Sequence, residues 1–157
     1  MPLKVGDQAP SFSLTDADRK GRSLDEFKGK KTVLAFYPGA FTGACTKEMC
    51  AIRDNMSKLN SLGAQVVGIS VDAPFANKAF AQQNNLQFPL LSDHTRTVAK
   101  QYAGLYENFG GLAGYSAAKR SVFILDEKGV VRYAWISEEP GVEPNYEEIT
   151  KALSSIA

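Results

Sequence analysis

Apolar positions along the chain change their period several times, and each change marks an element. Residues 11–14 alternate polar with apolar, which predicts a short strand with one buried face. Residues 16–21 are turn-rich, and 24–27 suit a single helical turn. The run Thr32-Val33-Leu34-Ala35-Phe36-Tyr37 is almost continuously apolar, with β-branched and aromatic members, so it predicts a fully buried strand. Pro38 and Gly39 stop it. From about 42 to 62 the period lengthens. Met49, Ile52, Met56, Leu59 and Leu62 recur at offsets of three and four and share one helix face, with Gly63 as the stop. A second buried strand is predicted at 65–71, then a helix at 73–84 with Pro74 in its first turn. A short strand at 88–91 and a helix at 95–102 follow. Residues 107–117 are rich in glycine and small side chains and predict a loop. Residues 121–125 and 130–136, separated by a turn at 126–129, predict a β-hairpin, and 145–157 close the chain as a helix.

That order predicts an α/β fold with a central mixed β-sheet flanked by helices on both faces. The alternating part is parallel, the hairpin adds antiparallel pairing, and a thioredoxin-like arrangement fits. A length of 157 residues suits a single domain spanning 1–157. The composition, 44% hydrophobic and 22% charged, is that of a globular protein and argues against disorder. Eighteen basic residues face seventeen acidic ones without a basic stripe, so no nucleic-acid partner is expected. The pairs Glu138–Glu139 and Glu147–Glu148 are solvated surface. The first residues lack the apolar core of a secretory signal, and no run approaches the ~20 apolar residues of a membrane helix. The expectation is a soluble, cytoplasmic protein with no membrane partner.

The chain has two cysteines, Cys45 and Cys50. So close a pair, in a chain large enough to build its own core, points to chemistry rather than to a disulfide scaffold. Cys45 falls where a buried strand gives way to a helix, and sites in open α/β sheets gather at the carboxyl ends of strands. In a first helical turn, unpaired N–H groups and the helix dipole favour thiolate over thiol, and thiolate is the nucleophile. Thr42, three residues earlier, can face the sulfur or cap the helix. Pro38 can end the strand or also roof the sulfur.

Pro38-x-x-x-Thr42-x-x-Cys45 resembles the active-site motif of the peroxiredoxins. The flanking Phe36-Tyr37 and Thr46-Lys47-Glu48-x-x-Cys50 resemble the bacterioferritin-comigratory (PrxQ) branch, with the AhpE-like group beside it. The resemblance extends to Gly6-x-x-Ala9-Pro10-x-Phe12 and to Arg120-Ser121-Val122-Phe123-Ile124-Leu125-Asp126. It implies a thiol-dependent peroxidase acting on hydrogen peroxide and organic hydroperoxides. Cys45 would be the peroxidatic cysteine, and Thr42 would hydrogen-bond the thiolate and the incoming oxygen. Pro38 would shield the site, Arg120 would supply a guanidinium, and Glu48 would support it. The resemblance further implies no metal, flavin or haem cofactor, recycling by thioredoxin or a similar dithiol, and a monomer or homodimer.

The C-terminal resolving cysteine of typical two-cysteine peroxiredoxins is absent, so resolution must use Cys50 or an external thiol. Residues five apart on a helix rise about 7.5 Å and point about 140° apart, beyond disulfide reach. A Cys45–Cys50 bridge therefore requires the helix to unwind, and Cys50 is expected to resolve in that state. The alternative for Cys50 is a small buried apolar residue.

Other motifs are weaker. Gly39-x-x-x-Gly43 lacks the spacing and the Lys-Ser/Thr of a P-loop. No convincing strand precedes Gly110-Gly111-x-x-Gly114. The one histidine, His94, beside Asp93 and Thr95, reads as a surface turn residue, and zinc would need more ligands. Cys45-x₄-Cys50 differs from the Cys-x-x-Cys of disulfide reductases. The competing functions are a thiol-disulfide reductase and a non-catalytic thioredoxin-fold binding or chaperone module.

Overall fold

The computed structural model describes residues 2–156. In chain order it has strand β1 (Ser13–Asp16), strand β2 (Gly21–Ser23), a 3-10 turn (Leu24–Phe27), strand β3 (Lys31–Phe36), helix α1 (Gly43–Asp54), helix α2 (Met56–Ser61), strand β4 (Ala64–Ser70), helix α3 (Pro74–Gln83) and strand β5 (Leu90–Ser92). Helix α4 (Thr97–Tyr102), strand β6 (Leu105–Tyr106), a 3-10 turn (Phe109–Gly111), strand β7 (Ala117–Ala118), strand β8 (Ser121–Leu125), strand β9 (Val131–Ile136) and helix α5 (Tyr146–Ser154) follow.

Seven strands form one mixed sheet in the order β2-β1-β5-β4-β3-β8-β9. β3 pairs parallel with β4, and β4 with β5. β8 runs antiparallel to both β3 and β9. β6 and β7 make a separate two-stranded ribbon.

The central strands are buried on both faces, and alternate side chains divide between two apolar layers. On one side, Val33, Ala35, Val122 and Ile124 pack with Met49 and Ile52 of α1, Leu59 of α2, Phe80 of α3, and Ile149 and Leu153 of α5. On the other, Leu34, Phe36, Phe123 and Leu125 pack with Leu24, Phe27, Val98 and Tyr102. This is the predicted mixed sheet with helices on both faces, a thioredoxin-like fold.

Four local expectations are corrected. The helix expected at 42–62 is two helices. Asn55 sits between them at φ −101°, ψ 5°, and its side-chain amide donates to the Ala51 carbonyl at 2.7 Å. That is the local competition by which asparagine unsettles a helix interior. The first strand begins at Ser13, not Ser11, because its pairing with β2 starts at Ser13 opposite Ser23, and it runs on to the buried Asp16, which accepts from the Asp18 and Lys20 amides in the turn that follows. The polar strand β2, paired with β1, had no hydrophobic signature. The loop expected at 107–117 contains a 3-10 turn and ends in β7. The last residue of the expected C-terminal helix, Ala157, lies outside the described residues.

The hairpin forms as expected. Asp126 Oδ1 accepts from the amides of Lys128 and Val130, and Gly129 takes φ 82°.

Candidate active site

The sheet topology makes the site. β3 and β4 run parallel, so their carboxyl ends lie side by side, and the loops into α1 and α3 leave from that edge. β8 runs the opposite way beside β3, with Ser121 opposite Phe36. The residue just before β8, Arg120, therefore arrives beside the loop that follows β3. Two segments more than 70 residues apart in sequence meet for that reason alone.

Cys45 is the third residue of α1, within its first turn, and its side chain is completely buried. Arg120, 1% exposed, spreads its guanidinium over three acceptors. Nη2 donates to Cys45 Sγ at 3.2 Å, Nη1 to Glu48 Oε1 at 2.7 Å, and Nε to the Pro140 carbonyl at 2.9 Å. Its backbone N–H donates to Tyr106 Oη at 3.2 Å, and Tyr106 in turn donates to the Ser137 carbonyl at 2.6 Å. The planar fork of arginine suits such a bridge, whereas a lysine ammonium would not span it. Glu48 is fully buried one helical turn after Cys45, and its second oxygen, Oε2, has no hydrogen-bond partner among the described residues.

Thr42 occupies the N-cap position of α1 with extended backbone, but its side chain does not cap. Its Oγ1 donates to the Gly39 carbonyl at 2.8 Å. Pro38 and Gly39 are buried at the start of this loop, and Phe41 takes φ 67°, the left-handed region, while its ring packs against Phe80. A non-glycine residue held there carries backbone strain that the surroundings must sustain. Part of that support is Asp72, whose Oδ2 accepts from the Ala40 amide at 2.7 Å and from Ser70 Oγ at 2.9 Å.

Electrostatics here differ from the simple expectation of a depressed thiol pKa. Burial pushes the Cys45 thiol up, and the net direction is upward. Arg120, the Thr42 side chain and the Gly39 main chain pull the other way. Burial also pushes Glu48 up, to about 7, against the pull of Arg120, with Glu143 adding to the rise. Burial opposes the charge on Arg120, but the adjacent Cys45 and Glu48 outweigh it and hold the guanidinium protonated. One cation thus faces two acids in a dry pocket, and the two acids compete for it.

Cys50 lies on the same helix, half-buried, with its thiol facing Asn84 Oδ1 at 3.6 Å. Both cysteines are free. α1 is continuous through both positions, so the helical separation that forbids a direct bridge holds in this state. His94 is exposed in a turn, away from this cluster. Among the described residues, no group of three His, Cys, Asp or Glu side chains could hold a metal ion.

The structure thus brings Cys45, Thr42, Arg120, Glu48 and the Pro38 loop to one place. It also adds residues that motif reading missed. Asp72 follows the carboxyl end of β4, a position the parallel topology marks in advance. Tyr106 of the short strand β6, Pro140 of a loop and Asn84 at the end of α3 carry no sequence signal.

Residues 5–134 match the sequence profile of the AhpC/TSA family. The chain belongs to that family. Among its relatives, peroxiredoxin Q from Populus jackii, a chloroplastic protein, is 42% identical over 98% of this chain and 70% of its own length. The bcp peroxiredoxin of Coxiella burnetii is 42% identical over 86% of this chain and 89% of its own. The crystal structure of peroxidoxin BcpB from Mycobacterium tuberculosis superposes with a TM-score of 0.85 at 32% identity, over 99% of both chains. As an AhpC/TSA protein, this chain is a peroxiredoxin, a thiol-dependent peroxidase. No described helix is long and apolar enough to cross a membrane.

Proposed function

We propose that this peroxiredoxin reduces hydrogen peroxide and organic hydroperoxides through Cys45, within one thioredoxin-fold domain. The observation that carries the assignment is the 3.2 Å contact from Arg120 Nη2 to a completely buried sulfur in the first turn of α1. The Cys45 thiolate attacks one peroxide oxygen, the O–O bond breaks, and Cys45 becomes sulfenic acid. Negative charge moves from sulfur to the departing oxygen, which leaves as water or alcohol once protonated. A fixed guanidinium beside the sulfur stabilises that redistribution best where water is excluded. Thr42, three residues before Cys45 and with its side chain acting on the sulfur, supplies a hydroxyl that can turn from the Gly39 carbonyl to the peroxide. Pro38 shields the loop. Glu48 holds the second arm of Arg120 and so orients the first.

Cys50 then attacks the Cys45 sulfenic sulfur, water leaves, and a disulfide forms after α1 unwinds. A dithiol protein such as thioredoxin reduces it by thiol-disulfide exchange. A reducing, cytosolic compartment suits such a catalytic pair.

The test is NADPH-coupled peroxide consumption with thioredoxin and its reductase, using wild type, Cys45→Ser and Cys50→Ser. Turnover is expected to vanish in the first. In the second, one oxidation per chain survives while recycling is impaired. Disulfide reduction without peroxide, or full turnover by Cys45→Ser, would reject the assignment.

A further inference from the structure

Resolution demands that a well-packed helix come apart, so what fastens α1 to its surroundings should govern how quickly the sulfenic acid is captured. One residue outside the catalytic cluster grips α1 at two points. Asn84, at the carboxyl end of α3, faces the Cys50 thiol with Oδ1 at 3.6 Å. Its backbone carbonyl accepts from Arg53 Nη1 at 2.7 Å. Cys50 and Arg53 are three apart on α1, so both bonds lie on one face, about one turn from each other. The side-chain amide of Asn84 is itself fixed, because Nδ2 donates to the Phe80 carbonyl at 3.0 Å. That bond settles which end of the amide meets the sulfur, and it anchors the grip to α3.

The first turns of α1 are held by Arg120 through Cys45 and Glu48, although the N-cap threonine makes no side-chain cap bond. At its other end the helix breaks at Asn55, beside a small apolar cavity lined by Ile52, Leu59, Tyr146 and Ile149. A helix without a side-chain cap at its start and broken at its end can open as a local unit. The Asn84 contacts tie down its middle.

We propose that Asn84, with Arg53, is a latch that holds Cys50 away from Cys45 and sets the rate of disulfide formation. The inference rests on Cys50 being the resolving cysteine. In balance, the Cys45 sulfenic acid and the Cys50 thiol give the disulfide and water. The competing step is a second peroxide, which takes the sulfenic acid to sulfinic acid and leaves as water or alcohol. A tighter latch prolongs the life of the sulfenic acid and favours that second oxidation. Asn84 and Arg53 are positioning residues and touch neither peroxide nor Cys45.

The experiment is stopped-flow oxidation of the reduced full chain by hydrogen peroxide, followed by Trp135 fluorescence and by mass spectrometry of quenched samples. The variants are Asn84→Ala, Arg53→Ala and Arg53→Lys. Loss of one such hydrogen bond predicts disulfide formation about three- to tenfold faster in both alanine variants. The second-order rate of the first oxidation should stay unchanged, and sulfinic acid at high peroxide should fall in proportion. Arg53→Lys, which keeps a donor for the Asn84 carbonyl, should stay near wild type. Disulfide formation as slow as wild type in both alanine variants overturns the latch. If wild type itself forms no Cys45–Cys50 disulfide, the resolving role of Cys50 fails instead, so the two failures are distinguishable. Should Asn84→Ala not fold, Arg53→Ala decides, since it leaves Asn84 and its bond to Phe80 intact.

Discussion

Replacing Glu48 with glutamine should make the Cys45 thiol ionise at lower pH. Cys45 and Glu48 are three apart on α1, which sets their side chains about 6 Å from each other. Both are buried, and both contact the single guanidinium of Arg120. Two negative charges at about 6 Å, at an effective dielectric of about 20, repel by about 3 kcal/mol, or about two pKa units. Glu48 titrates at about 7, so near neutrality it carries only part of that charge, and the expected drop is about one to two units. Glutamine keeps an oxygen for Arg120 Nη1 and removes only the charge. The assay is the pH dependence of iodoacetamide alkylation at Cys45, in a Cys50→Ser background so that one thiol reports. A thiol that titrates at the same pH as in wild type, or higher, would refute the idea that the two acids compete for one cation.

Three further outcomes follow from the same geometry. Folded Glu48 is raised to about 7 from an ordinary 4.5, so the unfolded chain releases this proton first. Its contribution to stability is complete below about pH 4.5 and is lost as pH rises through 7, a span of about 3 kcal/mol. Urea unfolding from pH 4.5 to 8 should show that slope in wild type and not in Glu48→Gln; identical slopes would count against it. Arg120→Lys keeps the charge but not the fork, and should slow Cys45 oxidation about a hundredfold; a loss under threefold in stopped-flow would contradict the bridging role. Asp72→Ala removes the acceptor for the Ala40 amide and should slow oxidation about tenfold, with a lower melting temperature. A lowered melting temperature at unchanged oxidation rate would make Asp72 purely structural.

Much of this arrangement was legible in the chain. The apolar runs at β3, β4 and β8 announced strands buried on both faces, and strand-to-helix order announced the parallel centre. The spacing of Pro38, Thr42 and Cys45 marked the loop and first turn that the fold brings together with Arg120. Features decided by polar side chains were not legible. Nothing periodic distinguishes Asn55 from its neighbours, yet the helix divides there, with the Asn55 side-chain amide on the Ala51 carbonyl. β2 has no apolar face, and it forms because β1 offers an edge. A helix start and a nearby arginine, which favour the thiolate, are visible in sequence, whereas the complete burial that pushes the Cys45 thiol up is not. The Asn84 grip on α1 depends on how α3 ends against it, a purely tertiary fact.

Burial and ionisation pull against each other at Cys45, and the conflict has chemical value. A sulfur exposed to water would ionise more readily, but water would weaken every interaction that its charge makes. Enclosed, the thiolate is harder to form, yet each donor aimed at the site acts at full strength on the developing charge of the departing oxygen. Arg120 serves both needs because Cys45 and Glu48 hold it charged, 1% exposed, with one arm to each. When Glu48 takes a proton, the carboxylate stops competing, and the guanidinium is left to the sulfur alone. Thiolate on Cys45 and proton on Glu48 are therefore favoured together. Protonation of Glu48 thus offsets part of the upward push that burial exerts on the Cys45 thiol.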